Sequence, residues 1–265
     1  MAEWIVNLFS VTDAKLADQI AFLVDNIPFA IWETFYSTAL ATLCAYIIGL
    51  PLGVILVTGG QDGIRPLPRA LMQALNVVVN LLRSVPFLIL MVLVMPLSRI
   101  ILGTTIGTPG ILVPLTAAAA PFVARLVESS LREMDRGLVE AAQAMGCSTL
   151  QIVWKVMLPE SLPSLLSGFT TAFITILGYG AMSGAIGGGG LGAMAMRNGW
   201  SQRQSLVLYV AVIVLIILVQ VFQTIGSCLS ARVDRRVGGK ARKAAAADRG
   251  KQVRKDKRGP GGFFG

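Results

Sequence analysis

The chain has 265 residues, of which 54% are hydrophobic and only 14% are charged, and its mean hydropathy is +0.70. Soluble domains carry about a quarter charged residues, so this composition excludes an ordinary soluble protein and indicates a membrane protein. There is no histidine, which removes the commonest general base and metal ligand.

Five apolar segments are predicted to cross the membrane. A helix needs about 20 apolar residues to do so, and the segments are 33–57, 84–102, 106–124, 162–186 and 205–229. Residues 1–30 carry three Asp among apolar residues and are predicted to form an interfacial helix before the first span. The predicted fold is therefore an all-α polytopic membrane protein with its transmembrane domain over 31–231.

Prolines mark the second and third spans. Ser84 is predicted to cap the second span, with Pro86 tolerated in its first turn. Pro114 and Pro121 predict a kink in the third span, where neighbouring helices satisfy the freed carbonyls.

The distribution of Lys and Arg predicts the orientation. If the basic C-terminal tail is cytoplasmic, five spans place the N-terminus outside. The inner segments then hold nineteen Lys and Arg and the outer segments four. This asymmetry is the one that cytoplasmic loops show.

The loop between spans 3 and 4, residues 126–161, is predicted to be helical. The alternating charges of 128–136 indicate that the third span extends past the membrane as a solvated helix ending at Gly137. A second helix ends at Gly146. It carries one apolar face, made by Leu138, Ala141, Ala142 and Met145. A third helix is predicted over 149–157, where Leu150, Val153, Trp154 and Met157 recur at helical spacing, and Leu158-Pro159 is predicted to stop it.

From the pattern alone, this loop is either a docking surface for a soluble partner or a fold that packs only on its own spans.

Glycines recur every four residues at the end of the fourth span. Such spacing allows helices to approach closely in lipid, and the series is Gly180, Gly184, Gly188 and Gly192, with Gly49 and Gly53 as a second pair. The GGGG run at 187–190 is hard to keep helical, so the fourth span is predicted to end there.

Few ionisable side chains fall inside the spans. Glu33 and Arg83 lie at the span ends and are predicted to snorkel to the interface. The residues proposed to line a translocation path are Arg83, Thr171, Thr175, Met182 and Ser183.

The segment 232–265 is predicted to be a disordered, basic cytoplasmic tail. Its twelve Lys and Arg against three Asp account for the whole net charge of +9. This position beside a span follows the positive-inside bias, so nucleic-acid binding is not expected, and contact with membrane lipid is.

Residues 140–159 resemble the EAA loop of bacterial ABC-importer permeases. The shared features are EAA, then Gly146, then Val156-Met157-Leu158-Pro159, with Val156 where the family has Ile. The stretches 80–108, 113–131 and 178–192 are similar to permeases of methionine ABC importers.

The resemblance implies that the loop is a coupling helix seated on a separate ATP-hydrolysing subunit. The implied contact residues are Glu140, Ala141, Ala142, Met145 and Gly146, with Leu158 and Pro159 setting the return into the membrane. It further implies two copies of this chain, two ATP-binding subunits that hold ATP and Mg²⁺, and an extracytoplasmic substrate-binding protein.

The implied function is the permease of an importer in the bacterial cytoplasmic (inner) membrane, with methionine as the expected amino acid and alternating access as the mechanism. No GxxxxGK[ST] phosphate loop occurs, and the chain itself is expected to hold no cofactor or metal and to be no enzyme. Two alternatives stay open: an importer for another small ligand, and an ion-coupled secondary transporter.

Overall fold

A computed structural model describes the backbone of residues 13–256 and the side chains of residues 17–234. This part of the chain is helical and contains no strand. The α-helices are α1 Asp13–Thr58, α2 Arg69–Ser84, α3 Phe87–Leu102, α4 Gly107–Arg132, α5 Arg136–Ala144, α6 Thr149–Ile152, α7 Leu158–Glu160, α8 Leu162–Ser183, α9 Gly190–Ala193 and α10 Ser205–Asp256. Short π-helical segments at Val153–Met157 and Met194–Ser201 and a 3₁₀ turn at Gly184–Ile186 connect them.

Four stretches are long and apolar enough to cross a membrane, and α2 with α3 makes a fifth if that bent pair counts as one span. The four are Ala17–Thr58, Gly107–Arg132, Leu162–Ser201 and Ser205–Asp234. They correspond to the predicted spans 1, 3, 4 and 5, with the third beginning one residue later than predicted. The predicted third span is observed as α4, which is one continuous helix through Pro114 and Pro121.

The predicted second span begins differently. Helices α2 and α3 meet at an angle of 109°, because Val85 is extended before Pro86, as residues before proline usually are. Ser84 does not cap α3; it is the last residue of α2, and its hydroxyl donates to the Asn80 carbonyl. The 16 residues of α3 rise about 24 Å, which is less than the roughly 30 Å of a hydrocarbon core.

The segment predicted as a separate interfacial helix is continuous with the first span from Asp13 onward. Packing explains the continuity, since Leu23 and Ala30 of α1 are buried against Leu191 and Val207. Residues 1–12 lie outside the described part of the chain.

Helix α10 continues to Asp256, through residues where the sequence predicted disorder. The Ala, Arg and Lys residues of this segment have high helix propensity. The prediction of disorder was made from low complexity and charge, which do not include helix propensity. Residues 257–265 lie outside the described part.

The core is the contact between α1 and α4. A Cβ built on Gly49 would lie 2.9 Å from the Ala120 carbonyl oxygen, and one on Gly53 would lie 2.7 Å from that of Ala124. Only glycine allows the two backbones to come this close, as the GxxxG spacing predicted.

Replacing Gly53 by Ala is expected to lower the free energy of unfolding by about 1–3 kcal/mol, because the added methyl group forces α1 and α4 apart. Gly178→Ala is the matched control, since a Cβ there meets nothing within 4 Å. Chemical denaturation in detergent measures both variants. Equal stability of the two would contradict the close contact.

Candidate functional site

The loop between α4 and α8 is a compact set of short helices. The Asp135 carboxylate caps α5 by accepting a hydrogen bond from the Gly137 N–H at 2.9 Å. Gly146 ends α5 with φ of +76°, the left-handed conformation of a helix C-terminus. The termination predicted at Gly146 is thus confirmed.

Helix α6 begins with a capping box that the sequence reading missed. The Ser148 N–H donates to Gln151 Oε1 at 2.9 Å, and the Gln151 N–H donates to Ser148 Oγ at 3.4 Å. The S-x-x-Q spacing was the available signal.

Pro159 does not stop the third loop helix, contrary to the prediction. The backbone passes from α6 through the π segment Val153–Met157 into α7, with the Leu158 N–H bonded to the Val153 carbonyl. Such a widened turn changes the i→i−4 pattern, and proline, which has no N–H, is tolerated in the first turn after it.

The apolar residues of the loop divide between two surfaces. Ala142, Ile152, Val153 and Met157 are buried in the core that includes Leu131 of α4. A second set, which we call the loop face, is exposed to solvent and consists of Leu138, Met145, Leu150 and Trp154, whose exposed fractions run from 41% to 76%. The prediction of one apolar face per helix was therefore wrong, because each helix alternates between inward and outward residues.

The residues predicted to contact a partner are likewise divided between exposed and buried positions. Glu140, Ala141, Met145 and Gly146 are exposed, whereas Ala142 is only 2% exposed and packs inward. Leu158 is half-buried against the core and Pro159 is exposed.

A partly buried polar cluster joins α2 to α4 just before this loop. The Arg125 guanidinium donates to the side-chain oxygens of Asn76 at 2.8 Å and Asn80 at 3.0 Å, and it pairs with Glu128. Arg132 pairs with the same carboxylate at 3.0 Å. Glu128 is 8% exposed, so the charged segment is not solvated there as predicted, whereas Arg132, Glu133 and Arg136 are exposed.

At the opposite end of the molecule, a glycine-rich break interrupts the stretch Leu162–Ser201. We call residues 184–190 the glycine break. Gly187 and Gly190 have φ of +93° and +73°. The chain folds back on itself here, because a Cβ on Gly184 would lie 2.3 Å from the Gly192 backbone.

The predicted glycine series is therefore not one helix face. Gly188 lies against Ser183, whereas a Cβ on Gly180 would meet nothing within 4 Å.

Glu33 supports the glycine break. Its carboxylate accepts from the Gly190 N–H at 2.9 Å and from the Thr108 hydroxyl at 2.8 Å. The neighbouring Thr34 hydroxyl accepts from the Leu191 N–H at 2.8 Å. Snorkelling was the wrong interpretation of Glu33; it lies inside the stretch Ala17–Thr58 and joins α1, α4 and the break.

Four of the five residues predicted to line a path lie on α8, and Arg83 lies at the end of α2. Thr171 and Thr175 donate their hydroxyls back to their own helix. Ser183 is fully buried and bonds to Gly180, while Met182 and Arg83 are exposed on different helices.

Within residues 17–234, no group of three or more metal-ligating side chains is placed to bind a metal ion.

The chain is similar to known transport proteins. The family model described as binding-protein-dependent transport system inner membrane component matches residues 49–239. The probable D-methionine transport system permease protein MetI of Vibrio cholerae is 48% identical over 222 residues, which cover 83% of this chain and 98% of that protein. The methionine import system permease protein MetP of Bacillus subtilis is 42% identical over 168 residues, covering 63% and 76%.

Solved structures resemble the fold closely. A structure of the MetNI methionine ABC transporter in an inward-facing conformation gives a TM-score of 0.76 at 40% identity, covering 80% of this chain and 97% of that chain. A second inward-facing MetNI structure gives 0.74 at 42% identity, covering 76% and 93%.

Gly146→Ala is expected to destabilise the folded chain by about 1–2 kcal/mol, because alanine is strained in the left-handed backbone conformation of this residue. Steric crowding adds nothing, since a Cβ at this position meets no atom within 4 Å. Gly146→Asn should recover much of this loss, and Gly180→Ala serves as a control without positive φ. Thermal unfolding of the purified variants provides the measurement. An unchanged midpoint in Gly146→Ala would show that the turn is not needed.

Proposed function

Because this chain belongs to the family of inner membrane components of binding-protein-dependent transport systems, we propose that it is the membrane-spanning subunit of an importer for methionine. It is a multi-pass inner-membrane protein. The cargo proposal is supported by the names of relatives that align with 83% and 63% of this chain.

The loop face is the proposed contact with the ATP-hydrolysing subunits. It presents four large apolar side chains to solvent beside the small residues Ala141 and Gly146. Exposed apolar patches of this kind mark protein interaction sites. ATP and Mg²⁺ are held by the partner in this proposal, and this chain contributes no catalytic group.

The proposed topology has five crossings, with α2 and α3 together as the second. The N-terminus is outside, and the loop face and the basic tail are cytoplasmic. Support comes from Lys and Arg counting and from the placement of Glu33, Thr108 and the glycine break together at the end remote from the loop.

Two copies of the chain form the pathway in this proposal. Apolar helix surface is available for such a contact. In the most apolar part of the stretch Ser205–Asp234, only 11% of the residues are buried within one copy. The remainder of this surface faces lipid. An extracytoplasmic binding protein delivers the ligand to the outer side.

Helix α4 is the proposed mechanical link for alternating access. Its inner end packs on the loop core through Leu131, and its outer end reaches Glu33 through Thr108. The 26 residues of the whole helix rise about 39 Å. Movement of the docked loop is thereby carried to the glycine break as a rigid displacement.

The first test is uptake of labelled methionine by proteoliposomes that hold this chain, its ATPase and its binding protein. Uptake is expected only with an active ATPase, because this chain supplies no energy source. ATPase stimulation without methionine uptake would reject the cargo. Equal uptake with a catalytically dead ATPase and an imposed proton gradient would instead favour an ion-coupled carrier.

Trp154→Ser is expected to weaken ATPase binding at least about tenfold, because large aromatic side chains dominate binding at such contacts. Trp200→Ser is the matched control, since Trp200 is 70% and Trp154 64% exposed and they lie at opposite ends of the molecule. Copurification and titration with the ATPase measure the effect. An equal loss of ATPase binding in both variants would show that the loop face is not part of the interface.

A further inference from the structure

A cavity of about 310 Å³ lies beside the glycine break, and we call it the outer cavity. Helix α1 forms one wall, and the break with the segment Met194–Ser201 forms the other. Its volume is at the lower end of the range for small-molecule sites.

Two opposite charges line this cavity without neutralising each other. The Glu33 carboxylate and the Arg197 guanidinium both contribute to the lining, and among the side chains of residues 17–234 neither takes part in an ion pair. An α-amino acid near neutral pH carries an ammonium and a carboxylate one carbon apart, so its backbone group complements a site that offers both signs.

Glu33 is fixed in position for such a contact. Each carboxylate oxygen already accepts one hydrogen bond, from Thr108 or from Gly190. A carboxylate oxygen has a second acceptor site, so an ammonium group can be bound without breaking either bond. Hydrogen bonds between charged groups are stronger than those between neutral groups.

Apart from Glu33, Arg197 and the amides of Asn26 and Asn198, the side chains of the lining are apolar. Phe22, Phe29, Ile106 and Met194 contribute side chains to the cavity. The aliphatic or thioether side chain of a bound amino acid therefore meets apolar surface. A charged side chain on the bound amino acid would find no further residue of opposite charge in the lining.

We propose that the outer cavity is a binding subsite for a zwitterionic amino acid with an apolar side chain. Glu33 binds the ammonium group and Arg197 the carboxylate. This inference rests on the proposed function and adds a ligand site to it. Because Glu33 also holds Gly190, occupancy of the subsite acts directly on the glycine break.

The test is protection of a cavity thiol in the intact transporter complex in lipid nanodiscs. Asn26 lines the cavity and is exposed, so Asn26→Cys, with Cys44, Cys147 and Cys228 replaced by Ser, reports on occupancy through its labelling rate. L-methionine should slow labelling. N-acetyl-L-methionine lacks the ammonium and the methyl ester lacks the carboxylate, so neither should protect.

Charge-neutral variants test the two named residues. Glu33→Gln keeps an amide oxygen for the Gly190 N–H and an amide group for Thr108, so it removes the charge with little change to the fold. Glu33→Gln and Arg197→Gln should each raise the protecting concentration of L-methionine at least about tenfold. Asp25→Asn and Arg99→Gln, which remove exposed charges outside the cavity lining, should not.

The outcomes separate this site from the proposed function. Protection by L-leucine but not by L-methionine would keep the site and reject the cargo. ATP-driven methionine uptake with no protection by any amino acid would keep the function and overturn the site. Equal protection by the acetylated and esterified compounds would also overturn it, because the charges would then not be recognised.

Discussion

The close approach of α1 and α4 is the constraint on which the rest of the structure depends. Gly49 and Gly53 bring the two backbones nearly into contact, and in lipid such packing replaces the hydrophobic effect as the source of helix association. With this distance fixed, Thr108 at the start of α4 lies within hydrogen-bond reach of Glu33 on α1. Leu131 near the other end forms part of the floor on which the loop packs.

Polar side chains in a largely apolar chain find partners at both ends of α4. Toward the loop, Arg125 and Arg132 share the Glu128 carboxylate, and Arg125 also joins α2 to α4 through Asn76. At the remote end, Glu33 accepts hydrogen bonds from a hydroxyl and a backbone N–H and pairs with no cation among the side chains of residues 17–234. The carboxylate of the first cluster is thus paired within its own helix, whereas that of the second lacks a counter-charge, which is the property of a site that can accept a ligand.

The sequence predicted what composition and single-residue chemistry determine. Four apolar stretches coincide with the observed ones, and Gly146 ends α5 because its backbone needs positive φ. Tertiary contacts determined the rest. No periodicity distinguishes the buried Ala142 from the exposed Ala141. The role of Glu33 depends on Gly190, 157 positions away, and a local window cannot contain that pair.

The glycine break and the loop face differ in what keeps them in place. The loop is fixed by a capped helix, a capping box and a buried apolar core. The break is fixed instead by hydrogen bonds to Gly190 and Leu191 and by close backbone packing, since a Cβ on Gly184 or Gly188 would overlap neighbouring atoms. In the proposed function, movement of the docked loop reaches the break along α4, because Leu131 packs on the loop core at one end and Thr108 bonds to Glu33, which holds Gly190, at the other.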